Sequence, residues 1–207
     1  MQNTETDKNI EVEIRGLLTT EDHLKLNDFL SKNGVLKSKR ERIFIDYSSS
    51  VEDRTKDIRI RQTNGVPEIM VKLGSWGGSE SREEISVNTE KNSFESLVRI
   101  FGELGHTKGI FCVRNSFIYD YKGVEFALVE VPNHSYYFEA EILTDAEHST
   151  EADVKLRKVC EDLGLQVFTK DEFFEYINKL NSEANINFDY NSFKKGYFDD
   201  RKYLNLK

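Results

Sequence analysis

The sequence predicts an α+β fold in which eight antiparallel strands close, or nearly close, into a barrel with helices around it. Many segments alternate apolar and polar residues with the period of two that is typical of strands. Short turn signals such as Asn64-Gly65 and Lys122-Gly123 separate most of these segments, which favours antiparallel neighbours. Three or four further segments have apolar residues at helical spacing, so helices are expected to accompany the sheet.

The predicted elements follow a polar tail at the N-terminus. The expected strands are 9–17, 35–48, 57–63, 68–73, 82–87, 106–120, 123–131 and 135–143. The expected helices are one between Thr19 and Gly34 and others at 92–104, at 150–163 and from about 170 to 180. Residues 181–207 follow no clear pattern, although their aromatic side chains indicate docking. We therefore expect one domain, 1–207, with a core at about 9–180.

Composition and charge exclude several classes of function. The 207 residues are 38% hydrophobic and carry a net charge of −8, which argues against nucleic-acid or acidic-membrane binding as the main role because both depend on a basic surface. Cys112 and Cys160 are far apart and form no C-x-x-C pair, so a reduced chain without a zinc site is expected. No segment resembles a membrane span or a signal peptide, and we expect a cytoplasmic protein.

Charged residues of one sign repeat on single strand faces. Side chains at alternate positions of a strand share a face, so Glu11 and Glu13 point the same way, as do Arg59 and Arg61. A second acidic pair recurs at 139–141. The simpler interpretation is the solvent face of a half-exposed sheet, which is polar anyway. If these faces instead turn inward, their burial is costly unless cations and a polyanion are bound.

The ordered set of charges resembles the CYTH superfamily, the triphosphate tunnel metalloenzymes, over about residues 9–180. The motif pieces are Glu11-x-Glu13-x-Arg15, Arg59-x-Arg61, Lys72, Arg82-x-Glu84, Arg114 and Glu139-x-Glu141. The stretch 94–142 is most similar to members related to class IV adenylate cyclase, and thiamine triphosphatases are also similar. The resemblance implies a tunnel that binds inorganic tripolyphosphate, thiamine triphosphate or a nucleotide, with a monomeric or homodimeric chain.

The resemblance also implies roles for individual residues. Those expected to hold Mg²⁺ or Mn²⁺ are Glu11, Glu13, Glu139 and Glu141, since hard oxygen ligands suit these ions. Those expected to contact phosphate are Arg15, Arg59, Arg61, Lys72 and Arg114, with Arg82 and Glu84 along the wall, since guanidinium forks suit phosphate. Catalysis is expected to depend on Glu13, Arg15 and Glu141. The implied reactions are hydrolysis of the terminal phosphate or cyclisation of ATP.

Several positions depart from the family pattern. Arg15 stands where lysine is usual, and Ser86 replaces a second acid after Arg82-x-Glu84. A usual acid on the seventh strand falls on Val129, and only a bulge would turn the neighbouring Glu130 inward. The His-Phe pair that precedes the first motif in the cyclases is missing. The sequence therefore leaves three functions open: a triphosphatase, a cyclase, and a binding module without catalysis.

Other signals receive the simpler interpretation. The basic run that includes Arg40 and Arg42 is expected at a solvated edge, and Cys112 is expected to fill the core. Lys170 is expected to be a solvated residue at a helix start. The glycine-rich segment 74–79 lacks the Gly-Lys-Ser/Thr ending of a P-loop, so it is expected to be a hairpin loop in which Trp76 could cover the tunnel.

Overall fold

The computed structural model describes residues 10–48, 55–74, 77 and 79–198. Eight strands form a barrel: β1 (Ile10–Leu18), β2 (Val35–Asp46), β3 (Lys56–Thr63), β4 (Val66–Leu73), β5 (Ser79–Asn88), β6 (Lys108–Tyr121), β7 (Val124–Val131) and β8 (Ser135–Thr144). The helices are α1 (Thr20–Asn33), α2 (Phe94–Glu103), α3 (Ser149–Asp162) and α4 (Lys170–Glu183). A short ninth strand, β9 (Ile186–Asp189), and a 3-10 turn, Tyr190–Ser192, follow α4.

The barrel is closed by antiparallel pairing throughout. The strand order is β2-β3-β4-β5-β1-β8-β7-β6, and β2 pairs with β6 to complete the circle. The predicted fold class, an α+β protein with an eight-stranded antiparallel barrel, is therefore confirmed. β9 adds to the free side of β6, with Lys108 opposite Asp189.

Two-residue turns set the register of several hairpins. Asn64 and Gly65 both have positive φ, 49° and 80°, and connect β3 to β4. Lys122 and Gly123 do the same between β6 and β7, with φ of 55° and 70°. Paired positive φ values are typical of the type I′ turn, whose twist matches that of the strands. The turn signals read from the sequence thus fix which residues of neighbouring strands lie opposite each other.

The polarity of the barrel is inverted, with charges inside and apolar residues outside. On β1 the side chains of Val12 and Ile14 face outward and are 2% and 0% exposed, because α1 and α3 cover them. A second apolar cluster lies under α2 and includes Ile45, Ile60 and Phe111. Burying each such side chain contributes roughly 1.5–3 kcal/mol. The helices therefore provide the stability that the charged interior does not.

The segment before α4 brings that helix across one end of the barrel. A Cβ on Gly16 would lie 1.9 Å from the carbonyl oxygen of Gln166, so only glycine allows this approach to β1. The Phe168 N–H donates to the carbonyl of Arg15 at 2.8 Å. Thr169 and Glu172 then form a capping box that starts α4. The apolar face of α4 consequently lies over the barrel end.

The segment after α4 packs beside α2. Phe188 is buried, and Phe193, Tyr197 and Phe198 pack around it in the same apolar cluster. The docking expected for the aromatic residues of this region is thus seen up to Phe198; Tyr203 lies outside the described residues. None of the described helices is both long and apolar enough to cross a membrane.

Candidate functional site

The barrel encloses a cavity of about 570 Å³ that is lined by seven carboxylates and seven cationic side chains. The carboxylates are Glu11, Glu13, Glu68, Glu84, Glu125, Glu139 and Glu141, and the cations are Arg15, Arg40, Arg42, Arg59, Arg61, Lys72 and Arg114. All residues predicted for the site line this cavity except Arg82. The Arg82 side chain is 2% exposed and lies 3.4 Å from Asp57. We call this space the main cavity.

Three carboxylates converge on one side of the main cavity. One oxygen from each of Glu11, Glu13 and Glu141 lies within 4.8 Å of the others. Glu13 is directly opposite Glu141 in the β1–β8 pair, and Glu125 is opposite Glu141 on β7. Like charges in these positions repel each other. The donor set fits a divalent ion that prefers hard oxygen ligands, such as Mg²⁺ or Mn²⁺.

The crowding of these carboxylates changes their proton affinity. Burial, together with Glu11 and Glu125, raises the pKa of Glu141 to about 8. Burial, with the nearby Glu139, also raises the pKa of Glu13 above its usual range and outweighs the opposing effect of Arg15. Both groups therefore hold a proton more tightly than an ordinary glutamate does.

Lys72 already supplies one such charge. Its Nζ lies 2.6 Å from Glu11, 3.4 Å from Glu84 and 3.6 Å from Glu13. Burial alone would raise the pKa of Glu11, but the ammonium outweighs it and holds this pKa well below the usual range. Glu11 is therefore ionised while its neighbours Glu13 and Glu141 hold protons more tightly.

Arg15 divides the predicted metal ligands into two groups. Its Nη2 lies 2.5 Å from Glu13, and its Nε donates to Glu139 at 3.1 Å. Glu139 lies outside the group of three carboxylates and is held by this guanidinium. A planar fork can bridge two carboxylates in this way, whereas the single ammonium of lysine is a point charge. This contact gives a structural reason for arginine at the position where the resemblance leads one to expect lysine.

The predicted phosphate-binding arginines on β3 are paired with acids that sequence reading did not identify. Arg59 contacts Asp57 at 2.5 Å and Asp46 at 3.5 Å. Arg61 makes a forked contact with Glu68, with distances of 2.7 and 3.1 Å. These acids lie on the same or neighbouring strands, so only the register could reveal them. A phosphate in the main cavity would have to share these arginines with their carboxylates.

Two other guanidiniums in the main cavity have no acid partner among the described residues. Arg42 and Arg114 are opposite each other in the β2–β6 pair. Arg42 donates to the Thr63 hydroxyl at 3.0 Å, and Arg114 donates to the Val113 carbonyl at 2.7 Å and the Asn185 side chain at 3.0 Å. Burial, with Arg61 and Arg40 nearby, lowers the pKa of Arg42 to about 10. Such a pair is arranged to receive an anion.

One interpretation of the sequence was wrong, and the position of Glu130, which the sequence left open, is now seen. Arg40 and Arg42 do not lie at a solvated edge but line the main cavity, because they alternate with the outward-facing Ile43 and Ile45. Strand β7 has no bulge, so the side chain of Glu130 stays on the outer face, where it accepts a hydrogen bond from Asn115 at 3.2 Å.

The acid that β7 contributes to the main cavity is Glu125, which lies 3.1 Å from Arg40. Strict alternation counted from the Lys122-Gly123 turn could have found it. Ser86 and Val129 line the main cavity, as the departures from the family pattern imply. Lys170 is exposed, as expected. Trp76 lies outside the described residues.

A second cavity of about 320 Å³ lies beneath α4, and we call it the α4 chamber. It shares Arg15, Phe44, Arg59, Arg114, Tyr137 and Glu139 with the main cavity. Its other walls are mostly aromatic and aliphatic side chains of α4 and of the segment before it. Cys112, expected in the core, is buried but lines this chamber. The two cavities therefore adjoin, one mainly charged and one mainly apolar.

No family model and no curated protein matches the chain. Solved structures do match. The PH1819 protein of Pyrococcus horikoshii OT3 is 22% identical, with 82% of this chain and 98% of that chain covered and a TM-score of 0.64. A candidate adenylate cyclase of Vibrio parahaemolyticus is 16% identical, with 76% of this chain and 90% of that chain covered and a TM-score of 0.56.

The third structure is a candidate adenylyl cyclase, HpAC1 of Hippeastrum, described as having a dominant triphosphatase activity. It is 17% identical over 77% of this chain and 90% of that chain, with a TM-score of 0.51. Identities this low show a shared fold. The chain therefore shares its fold with these structures, and this fold is the closed eight-stranded barrel that the sequence predicted.

Proposed function

We propose that this chain is a hydrolase that cleaves a triphosphate with the help of a divalent metal ion. One observation carries the proposal: three converging carboxylates and two guanidiniums that have no acid partner within the described part of the chain line the same cavity. Glu11, Glu13 and Glu141 would hold Mg²⁺ or Mn²⁺. Arg42 and Arg114 would bind phosphate oxygens, together with the paired arginines at positions 15, 59 and 61.

The balance of charge supports a metal–triphosphate complex as the ligand. The main cavity has as many carboxylates as cations. A bare triphosphate would be repelled by the carboxylates, and a bare divalent ion by the arginines and Lys72. A complex of the two carries less net charge than the bare triphosphate and places each charge against its opposite. Since Glu11, Glu13, Lys72 and Arg114 are buried, this complementarity matters more than it would on a surface.

The cationic side chains of this protein would position the metal-binding carboxylates. When bound, the metal ion supplies electrophilic activation of the phosphate chain and of a water molecule. Arg15 holds the carboxylates of Glu13 and Glu139 in place, and Lys72 does the same for Glu11. Arg15 cannot serve as a general base because a guanidinium remains protonated. Its expected catalytic contribution is therefore orientation and charge stabilisation.

The test is phosphate release from tripolyphosphate, thiamine triphosphate and ATP with Mg²⁺ or Mn²⁺. Glu13→Gln and Glu141→Gln should each reduce turnover by about 100-fold or more, since each removes charge where the reaction needs it. Glu130→Gln is the matched control, because it makes the same chemical change on the outer face of the barrel. Activity that survives Glu141→Gln would count against the proposal.

Identification of the products separates the competing functions. Cyclic AMP with pyrophosphate would assign the chain as a cyclase, a function that the missing His-Phe pair disfavours. Tight binding of triphosphate without turnover with either metal would identify the chain as a binding module without catalysis. Arg15 and Ser86, which differ from the family pattern, would then explain the lack of turnover. Inorganic phosphate as the product supports the hydrolase.

A further inference from the structure

The α4 chamber and the main cavity follow each other along the strands of the barrel, with the chamber at one end. On β8, Tyr137 and Glu139 line both cavities, whereas Glu141 lines only the main cavity. On β2, Asp46 lines only the chamber, and Arg42 lines only the main cavity. Four residues of strand span about 13 Å. A ligand anchored by a terminal phosphate near Glu141 would thus extend toward the chamber.

Arg114 lies at the boundary between the two cavities. Its side chain lines both of them and is 8% exposed, with an Asn185 oxygen 3.0 Å from Nη2. Its guanidinium also lies 5.9 Å from the centroid of the Phe44 ring. Arg15 and Arg59 also line both cavities, so the cations of the main cavity extend up to the aromatic side chains that α4 adds to the chamber.

The surface that α4 and the segment before it add to the chamber does not suit phosphate. Phe168 stacks on Tyr176 with ring centroids 5.5 Å apart, and Phe173 lies 6.3 Å from Phe168. Ile177 and Leu180 add aliphatic surface from the same helix. Phosphate oxygens would lose hydration against such groups without gaining partners. Planar aromatic rings, in contrast, gain favourable stacking contacts there.

A few polar groups are placed among these walls. The Asp46 carboxylate lies 3.5 Å from Arg59 and accepts a hydrogen bond from the Ser48 N–H at 2.8 Å. Asn181 also lines the chamber and accepts from Asn185 at 2.8 Å. A mostly apolar pocket with a small number of polar groups is typical of sites for organic ligands. Hydrogen-bonding atoms at the edge of a heterocycle would match Asp46 and Asn181.

We infer that the α4 chamber binds a planar heteroaromatic group attached to the triphosphate. The substrate is then an organic triphosphate, such as a nucleoside or thiamine triphosphate, in preference to inorganic tripolyphosphate. The inference rests on the proposed function, since it assigns the remainder of a ligand whose phosphates occupy the main cavity.

The test compares Ile177→Trp with wild type in the full-length protein. KM is measured for ATP, GTP, thiamine triphosphate and tripolyphosphate with Mg²⁺. Filling the chamber should raise KM at least 10-fold for the organic triphosphate that the wild type prefers and leave KM for tripolyphosphate within 2-fold. Asn178→Trp adds the same bulk at the exposed neighbouring position of α4 and should change neither value. Which organic triphosphate loses most identifies the heterocycle.

If Ile177→Trp fails to fold, Phe168→Leu tests the same idea by removing the stacking surface, with the same selective rise in KM expected. The inference is overturned if wild type prefers tripolyphosphate to every organic triphosphate. It is also overturned if a folded chamber variant changes KM for organic and inorganic substrates alike. If wild type neither binds nor cleaves any of the four compounds, the proposed function itself is wrong.

Discussion

Glu141 illustrates how a buried carboxylate links function to stability. Its pKa is raised to about 8 without a metal ion, so the folded state binds this proton more tightly than the unfolded state does. The contribution of Glu141 to stability is therefore greatest below the unfolded pKa of about 4.5 and is lost as the pH rises through 8. The metal-free protein is expected to lose stability across this range because of this residue.

Glu141→Gln should consequently stabilise the metal-free protein at pH 8, by up to a few kcal/mol, and have little effect near pH 4.5. Urea unfolding in the presence of a chelator at the two pH values measures this difference. Glu130→Gln is again the control, and its effect should not follow this pH dependence. A lower stability of Glu141→Gln at pH 8 would show that the carboxylates do not repel each other as described.

Arg42 and Arg61 allow binding to be separated from stability. Arg61→Met leaves the Glu68 carboxylate, paired at 2.7 Å, without its partner, so it should destabilise the fold by about 3 kcal/mol. Arg42→Met removes a cation that has no acid partner among the described residues, so stability should change by less than about 1 kcal/mol. KM for the best triphosphate substrate should nevertheless rise about 10-fold or more in Arg42→Met. Equal losses of stability in the two variants would contradict this assignment.

At the scale of strands and helices, the sequence predicted most of the barrel because turn chemistry and alternation agree. The hairpins at Asn64-Gly65 and Lys122-Gly123 form where expected, since both residues of each turn adopt positive φ. Strand β9 was not predicted because four residues rich in Asn and Asp carry too little alternation, and its pairing depends on the distant β6. Its position is set by tertiary packing of Phe188 rather than by local propensity.

The inward face of β2 was misread for a related reason. Residues 37–42 are almost all charged, so composition does not distinguish the two faces, and the register shifts between Leu36 and Ser38. Only the apolar residues Ile43 and Ile45 show which side faces the helices. The same ambiguity hid the acids that pair with Arg59 and Arg61, because a partner on a neighbouring strand becomes visible only with the register.

At the scale of the whole molecule, the charged interior is possible because the apolar core lies elsewhere. The helices bury the outer face of the sheet, which leaves the inner face free to hold groups that would otherwise be exposed. The motifs predicted ten of the charged residues that line the main cavity, because the resemblance implies a closed barrel. Arg82 does not line this cavity, and Glu68, Glu125, Arg40 and Arg42 were not predicted to do so. The α4 chamber could not be predicted, because it arises where α4 crosses the barrel end through the close approach at Gly16.

The balanced charge of the main cavity predicts that metal and triphosphate bind cooperatively. A metal ion alone is repelled by the cationic side chains, and a triphosphate alone is repelled by the carboxylates. Each ligand reduces the repulsion that the other meets, and the coupling must be reciprocal. Mn²⁺ affinity, measured by calorimetry, should rise about 10-fold or more, roughly 1.4 kcal/mol, when a non-hydrolysable methylene analogue of tripolyphosphate is present.

The charged residues themselves provide the control for this coupling. In Arg42→Met the analogue should raise Mn²⁺ affinity less than it does in wild type. Mn²⁺ affinity without the analogue should change less than this, because Arg42 lies opposite Arg114 rather than beside Glu141. Glu130→Gln should leave both affinities unchanged. Independent binding of the two ligands would mean that the carboxylates and the guanidiniums do not serve one complex, since opposite charges in a shared low-dielectric cavity must otherwise influence each other.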